Sequence, residues 1–263
     1  MLTANSDTAW KIFGKTDPYY AVCTLDRFRA GHLDDEARRQ FFRSGEMHIE
    51  RVLKVIRESL DPGFQPVRAL DFGCGVGRVT IPLARLCSEV VGVDVSSAML
   101  TEAAENCRRQ GIDNVNLVRS DNRLSEVSGR FDFIHSFIVF QHLPVWKGMR
   151  LARIMIDLLT ENGMGALHFT HARRASRARK AVHWLRAHVP LANNLANVVQ
   201  GRPWPKPMMQ MNSYSVNALC EMLQASGCNP VHLRFTDHDG HLGIFVFFRK
   251  AGSAPGQQML SNW

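Results

Sequence analysis

Three glycines at alternate positions, Gly73, Gly75 and Gly77, follow the apolar run Ala69-Leu70-Asp71-Phe72. Glycines so spaced let a backbone leave a strand in a sharp turn and pass close to a bound ligand. Asp94 lies at the end of the next apolar run, Val90 to Val95, where a carboxylate can accept from both hydroxyls of a ribose. The spacing is G-x-G-x-G, with Arg78 where the dinucleotide pattern G-x-G-x-x-G has its third glycine. That argues against a pyrophosphate ligand, for which the last glycine serves close helix approach.

Histidines supply the candidate bases. His142 follows a fourth apolar run in Phe140-Gln141-His142-Leu143-Pro144, His171 follows a fifth, and His238 and His241 flank a tight turn with Asp237 and Asp239. Taken singly, each reads as a polar loop residue before it reads as a base. Together they put at least one imidazole at the carboxyl ends of the strands, with His142 and His171 first in rank. His168, in mid-strand, reads as a buried, hydrogen-bonded core residue.

These residues need a β-α alternation to position them. Val67–Phe72, Val90–Val95, Val115–Arg119, Phe131–Phe137 and Gly165–Thr170 read as strands, with helices expected over Val79–Cys87, after the cap Ser96, and from Pro144 to Leu159, ending at Asn162-Gly163. Such alternation calls for an α/β fold with a parallel sheet covered on both faces. A helix over Ser215–Ala225 and strands Val231–Thr236 and Gly243–Arg249 follow, the strands forming an antiparallel hairpin. Before the sheet, a short helix capped by Asp34 or Asp35 stops at Ser44-Gly45, and a second from Glu46 carries Ile49, Val52, Leu53, Ile56 and Leu60 on one face.

At this point the chain resembles the class I S-adenosylmethionine-dependent methyltransferases. Leu70-Asp71-Phe72-Gly73-Cys74-Gly75-Val76-Gly77 is similar to their first motif, Val91-Gly92-Val93-Asp94-Val95-Ser96 to the second, Arg119-Ser120-Asp121-Asn122 to the third and Phe131-Asp132-Phe133-Ile134-His135-Ser136 to the fourth. The resemblance implies a Rossmann-like sheet in the order 3-2-1-4-5-7-6, ending in the reversed strand. It also implies S-adenosylmethionine as cofactor. In that scheme Asp71, Gly73, Cys74, Gly75 and Gly77 line the methionine part and Asp94 holds the ribose, with Val95 and Met99 beside it. Asp121 accepts from the adenine amino group next to Asn122, and Ser136 faces the ligand. Tyr19 and Tyr20 read either as part of an N-terminal lid over the cofactor or as plain packing.

The resemblance divides the chain into an N-terminal helical cover (1–60), the methyltransferase domain (61–250) with a substrate-side insertion at about 171–211, and a flexible tail (251–263). The expected reaction is methyl transfer to oxygen on a small molecule or glycan. An amine acceptor and an RNA base are the runners-up. A nucleotide-dependent oxidoreductase and a non-catalytic cofactor-binding module are the alternatives from other classes. The fourth run ends Ser136-Phe137-Ile138-Val139, without the Asn/Asp-Pro-Pro-Tyr/Phe signature of base and glutamine methylation and without Pro-Cys, which argues against DNA.

Composition bounds the rest. The chain has 263 residues, 45% hydrophobic, which suits one large globular domain. Its net charge of +8 is localised: Asn162 to Cys220 holds eight Lys and Arg and no carboxylate, so the remainder is neutral. Within that stretch Ala175, Ala178, Val182, Leu185 and Val189 form an apolar stripe opposite arginines, and Trp184 and Trp204 could stack on a sugar or base. The stretch reads either as a docked helix with a solvated basic face or as a surface for an anionic acceptor, a membrane surface or tRNA. Six scattered cysteines without metal-ligand spacing, and a start (Met1 to Asp7) with neither basic nor apolar character, suggest a cytoplasmic protein that needs no metal. Apolar runs such as Ile244–Phe248 fall far short of the roughly 20 residues of a membrane span.

Overall fold

The computed structural model describes residues 6–174, 185, 209–238 and 240–252. Its strands are β1 (Arg68–Phe72), β2 (Glu89–Asp94), β3 (Val115–Arg119), β4 (Phe131–Ser136), β5 (Leu159–Arg173), β6 (Cys228–His238) and β7 (His241–Lys250). They hydrogen-bond in the order β3-β2-β1-β4-β5-β7-β6, the order implied by the resemblance. β7 runs antiparallel to β5 and β6, and the other pairs are parallel.

Alternate residues of the inner strands feed two cores. Leu70, Phe72, Val91, Val93, Ile134 and Leu167 face α6 (Val145–Leu158) and α7 (Val216–Ala225). Ala69, Val90, Phe133, Met164 and Ala166 face α3 (Asp35–Ser59) and α4 (Thr80–Ala84). Both faces of the parallel strands are therefore buried, which is why their sequences run apolar without alternation. A third cluster joins Tyr19 of α2 (Pro18–Val22), Phe41 of α3 and Met99 of α5 (Ser97–Arg109). The Tyr19 hydroxyl bonds Glu102 at 2.6 Å and Asn106 at 2.9 Å, so it anchors the N-terminal helices on α5. α1 (Ser6–Thr16) also lies on α5, with Gly14 against the Ser96 hydroxyl.

Three boundaries differ from the sequence reading. The expected break at Ser44-Gly45 does not occur: α3 is continuous from the Asp34 cap, whose carboxylate accepts from Ala37 N at 2.7 Å. Gly45 serves tertiary approach instead, because a Cβ there would stand 1.9 Å from the Arg78 carbonyl oxygen. α6 passes directly into β5 at Leu159, without the stop expected at Asn162-Gly163, and Asn162 takes a left-handed conformation (φ 61°) within the strand. β5, β6 and β7 also extend past their apolar cores, since ladder bonds between backbones carry the polar ends, as in the pairs Arg173 with His241 and His238 with His241. Most of the insertion, including Arg177, Arg179, Lys180, Arg186, Arg202, Lys206, Trp184 and Trp204, lies outside the described residues, as do Asp239 and nearly all of the tail. Among the described residues no helix is long and apolar enough to cross a membrane.

Candidate active site

The glycine loop leaves β1 beside β2. Gly73 N and Cys74 N both donate to Val93 O, at 2.7 and 3.0 Å, which ties the loop to the neighbouring strand. Gly73 (φ 78°) and Gly75 (φ 53°) occupy the left-handed region, which disfavours a side chain. Space forbids one as well: a Cβ on Gly73 would lie 2.2 Å from Val139 Cγ2, and one on Gly75 2.7 Å from Val22 Cγ2.

Asp94 terminates β2. One carboxylate oxygen accepts from Gly75 N at 3.0 Å and the other from Ser96 N at 2.8 Å. Burial pushes its pKa up to about 6, and the amides at Ser96 and Gly75 oppose that shift without cancelling it.

Loop and carboxylate border a cavity of about 1070 Å³, measured with its mouth. Asp71, Gly73, Cys74, Gly75, Asp94, Val95 and Met99 line it, together with Trp10, Val22, His142 and Lys147. α1 belongs to this lining. Ser6 Oγ donates to His142 O at 2.5 Å, Asp7 pairs with Lys147 at 2.9 Å, and Trp10 packs edge-on against the His142 ring at 4.9 Å.

His142 is buried. Its Nδ1 lies 2.9 Å from Gln210 O, so that nitrogen carries the proton, and Nε2 is the lone-pair position, 3.2 Å from the Gln141 amide nitrogen. Thr170 Oγ1 donates to Gln141 Oε1 at 2.7 Å and fixes that amide. Burial pulls the His142 pKa down to about 4.

Other residues named from the sequence do not line the cavity. His171 sits on β5 with its ring 6.3 Å from Phe235. The Ser136 hydroxyl is buried against Phe72 O at 3.0 Å. Asp121 closes its own turn on Arg123 N, Ser125 N and the Ser125 hydroxyl, which hold its carboxyl down at about 2, while Ser120 stands in the cavity wall. Asn122 follows Asp121 in the exposed turn, and Gly77 bonds back to Cys74 O at 3.0 Å. The Tyr20 ring lies under the Arg29 guanidinium, while its neighbours Ala21 and Val22 reach the cavity. His168 is buried, as expected, and its Nε2 meets Thr236 Oγ1 at 2.8 Å.

The family described as "Methyltransferase domain" matches residues 69–163, the stretch that holds the glycine loop, Asp94 and His142. That match covers little more than a third of the chain and centres on the elements that build the cavity. Among solved structures, magnesium protoporphyrin IX methyltransferase from Synechocystis with bound S-adenosylhomocysteine aligns with a TM-score of 0.62 at 16% identity, over 94% of this chain and 100% of that one. The N-methyltransferase NodS from Bradyrhizobium japonicum, also with S-adenosylhomocysteine, gives 0.55 at 14%, over 94% and 98%. At such identities the likeness is one of fold. Curated relatives include an uncharacterised RNA methyltransferase of Thermosynechococcus vestitus, 29% identical over 54% of this chain and 30% of its own length. A 23S rRNA uracil-C5 methyltransferase of Burkholderia cenocepacia is 38% identical over 45% and 24%. The chain thus spans less than a third of the length of these relatives.

Several site features escaped the sequence reading. His135 Nδ1 lies 3.0 Å from Asp71 Oδ1, Thr80 Oγ1 donates to Asp71 Oδ2 at 2.7 Å, and His135 Nε2 meets His48 Nε2 at 2.9 Å. Burial, with His135 next, pulls the His48 pKa well below the ordinary value, so His48 is neutral and donates to His135. Arg78 also lines the cavity. The place of His135 within β4, a strand buried at nearly every position, could have flagged it as a core residue; nothing local to His48 or α1 signals a partner so distant in sequence.

Proposed function

We propose that the protein transfers the methyl group of S-adenosylmethionine to an oxygen of a small-molecule or glycan acceptor. The observation that carries this reading is one cavity bordered by the glycine loop, Asp94 and His142. The donor set suits the cofactor. Asp94 offers a carboxylate to the ribose hydroxyls, Gly73 and Gly75 leave room for the amino-acid part, and Val95 and Met99 give apolar surface for the adenine. With the Asp121 carboxylate engaged in its own turn, we assign the adenine edge to the backbone around Ser120.

The cofactor's sulfonium supplies an activated methyl group. The chain's residues then have two tasks. The first is alignment of the acceptor lone pair behind the methyl, an effect of about 7–11 kcal/mol. α1, held by the Asp7–Lys147 ion pair, lines the cavity beside the acceptor's place. The second is proton removal. His142 is unprotonated at neutral pH, its Nε2 becomes the proton's destination once the Gln141 amide releases it, and a base of pKa about 4 suits an acidic acceptor hydroxyl. We place the protein in the cytoplasm, where its cysteines stay reduced.

A second reading, an RNA acceptor, is favoured by the curated relatives. The thiol in the cavity wall, Cys74, is kept protonated by burial, which gives no support to attack by a cysteine on a base. Release of S-adenosylhomocysteine, measured with carboxylic acids, phenols, sugars, amines and RNA as acceptors, tests the reading. Turnover confined to oxygen acceptors is expected; turnover only with amines or RNA would overturn it.

A further inference from the structure

Val145 and Trp146 open α6 between Leu143 and Lys147, both of which line the cavity, so this first turn borders it. Both side chains face solvent: Trp146 is 65% exposed and Val145 40%. Among the described residues the indole makes no hydrogen bond, ring contact or cation–π contact. Tryptophan is highly buried on average in folded proteins, so an indole left in water beside a ligand cavity calls for a partner.

α1 continues this surface. Its Asp7 pairs with Lys147 at 2.9 Å, which seats the helix next to the first turn of α6. Lys11 and Lys15 follow Asp7 at steps of four and share its side of the helix, with Ile12, 37% exposed, beside them. Lys11, Lys15 and Arg150, one turn on from Trp146, are exposed and form no ion pair among the described residues. The carboxylate of α1 is engaged by Lys147, so the surface keeps an excess of positive charge.

An indole, aliphatic neighbours and unpaired cations on one surface suit the boundary of a bilayer. The apolar groups enter between the headgroups while the cations stay with the lipid phosphates. RNA would also answer the charge. It would leave Val145 and Ile12 without a role, since neither has a face on which a base stacks.

We propose that α1 and the first turn of α6 dock on an anionic phospholipid bilayer, with Trp146 as the anchor and Lys11, Lys15 and Arg150 facing the headgroup phosphates. This docking holds whichever acceptor atom is methylated.

Co-sedimentation of the full chain with vesicles of phosphatidylcholine alone, or of phosphatidylcholine mixed with phosphatidylglycerol, tests this. Partition onto the anionic vesicles should exceed that onto the neutral ones by at least about tenfold, and should fall as salt rises from about 0.1 M to about 1 M. Trp146→Ser should lower the anionic partition at least about fivefold, whereas Trp146→Phe should retain most of it. Lys11→Gln, Lys15→Gln and Arg150→Gln combined should weaken it comparably and flatten its salt dependence. The urea midpoint, expected at the wild-type value in every variant, separates loss of docking from loss of fold. The comparison of vesicles with the wild-type protein needs no variant. Equal partition onto both vesicles, partition onto neither, or anionic partition that survives Trp146→Ser would overturn the proposal. Binding of an RNA oligonucleotide without partition onto vesicles would assign the cations to nucleic acid and overturn it as well.

Discussion

Gly45 and Arg78 meet backbone to backbone: a Cβ on the glycine would stand 1.9 Å from the arginine carbonyl oxygen and 2.8 Å from its carbonyl carbon. The long N-terminal helix is thereby locked onto the end of the glycine loop. Helix propensity alone favours Gly45→Ala by roughly 0.5–1 kcal/mol. The collision must reverse that sign, because the neighbour is backbone and cannot rotate away. Gly45→Ala should destabilise the protein by about 1–3 kcal/mol in urea titration. It should also weaken cofactor binding, since the loop moves with Arg78. A stabilised variant would mean that α3 adjusts freely.

Asp94 gives the cofactor affinity a pH dependence. Burial raises its folded pKa from the ordinary carboxylate value of 3.8 to about 6. A raised carboxylate contributes stability that is present below the unfolded pKa and lost as pH rises through 6. Cofactor binding acts in the opposite direction, because ribose hydroxyls donate best to the ionised form. Affinity should be flat above pH 7 and fall toward about tenfold per pH unit below 6. Asp94→Asn should abolish that slope and weaken binding at pH 7.5. A slope that persists in the variant would assign the titration to another group.

His142 and His171 separate as candidate bases. His142→Ala should lower turnover about a hundredfold on an oxygen acceptor, whereas His171→Ala, outside the cavity, should leave it within about threefold. With a His142 pKa of about 4, turnover should show no acid limb from this residue between pH 5.5 and 8. A rate that falls in the His171 variant alone would reverse the assignment.

Buried neutral imidazoles make the fold acid-sensitive. Burial lowers the His142 pKa to about 4 and that of His168 to about 3. Between those values and the unfolded pKa near 6.5 the unfolded chain binds protons that the folded chain refuses, so stability falls as pH drops from about 6.5 to 4. Each residue should cost about 2 kcal/mol at pH 4.5 relative to pH 7, less the opposing gain from Asp94. Urea midpoints at the two pH values, compared between wild type and His168→Gln, check this: the variant should lose less on acidification. Identical losses would clear His168.

How far the sequence could be read depends on whether the determinant is local. The strands themselves, the final antiparallel hairpin and the Asp94 position follow from apolar runs and turn residues that each carry their own signal, whereas the strand order came from the family resemblance. Gly45 misled because a glycine looks the same as a helix stop and as a point of close approach; the difference lies in Arg78, 33 positions on. Asp121 sits at the expected strand end, but its carboxylate is taken by Ser125 four residues later, a local competition that strand periodicity does not register. The Asp71–His135–His48 chain and the α1 contacts to His142 join residues 64 to 136 positions apart, so only the folded sheet could assemble them.

The most direct measurement is calorimetric titration of the purified protein with S-adenosylhomocysteine and, separately, with NAD. One-to-one binding of S-adenosylhomocysteine, weakened by about 1.5–3 kcal/mol in Asp94→Ala, together with no heat from NAD, is the predicted result. Binding of NAD in preference to S-adenosylhomocysteine, or an affinity that ignores Asp94→Ala, would contradict the account.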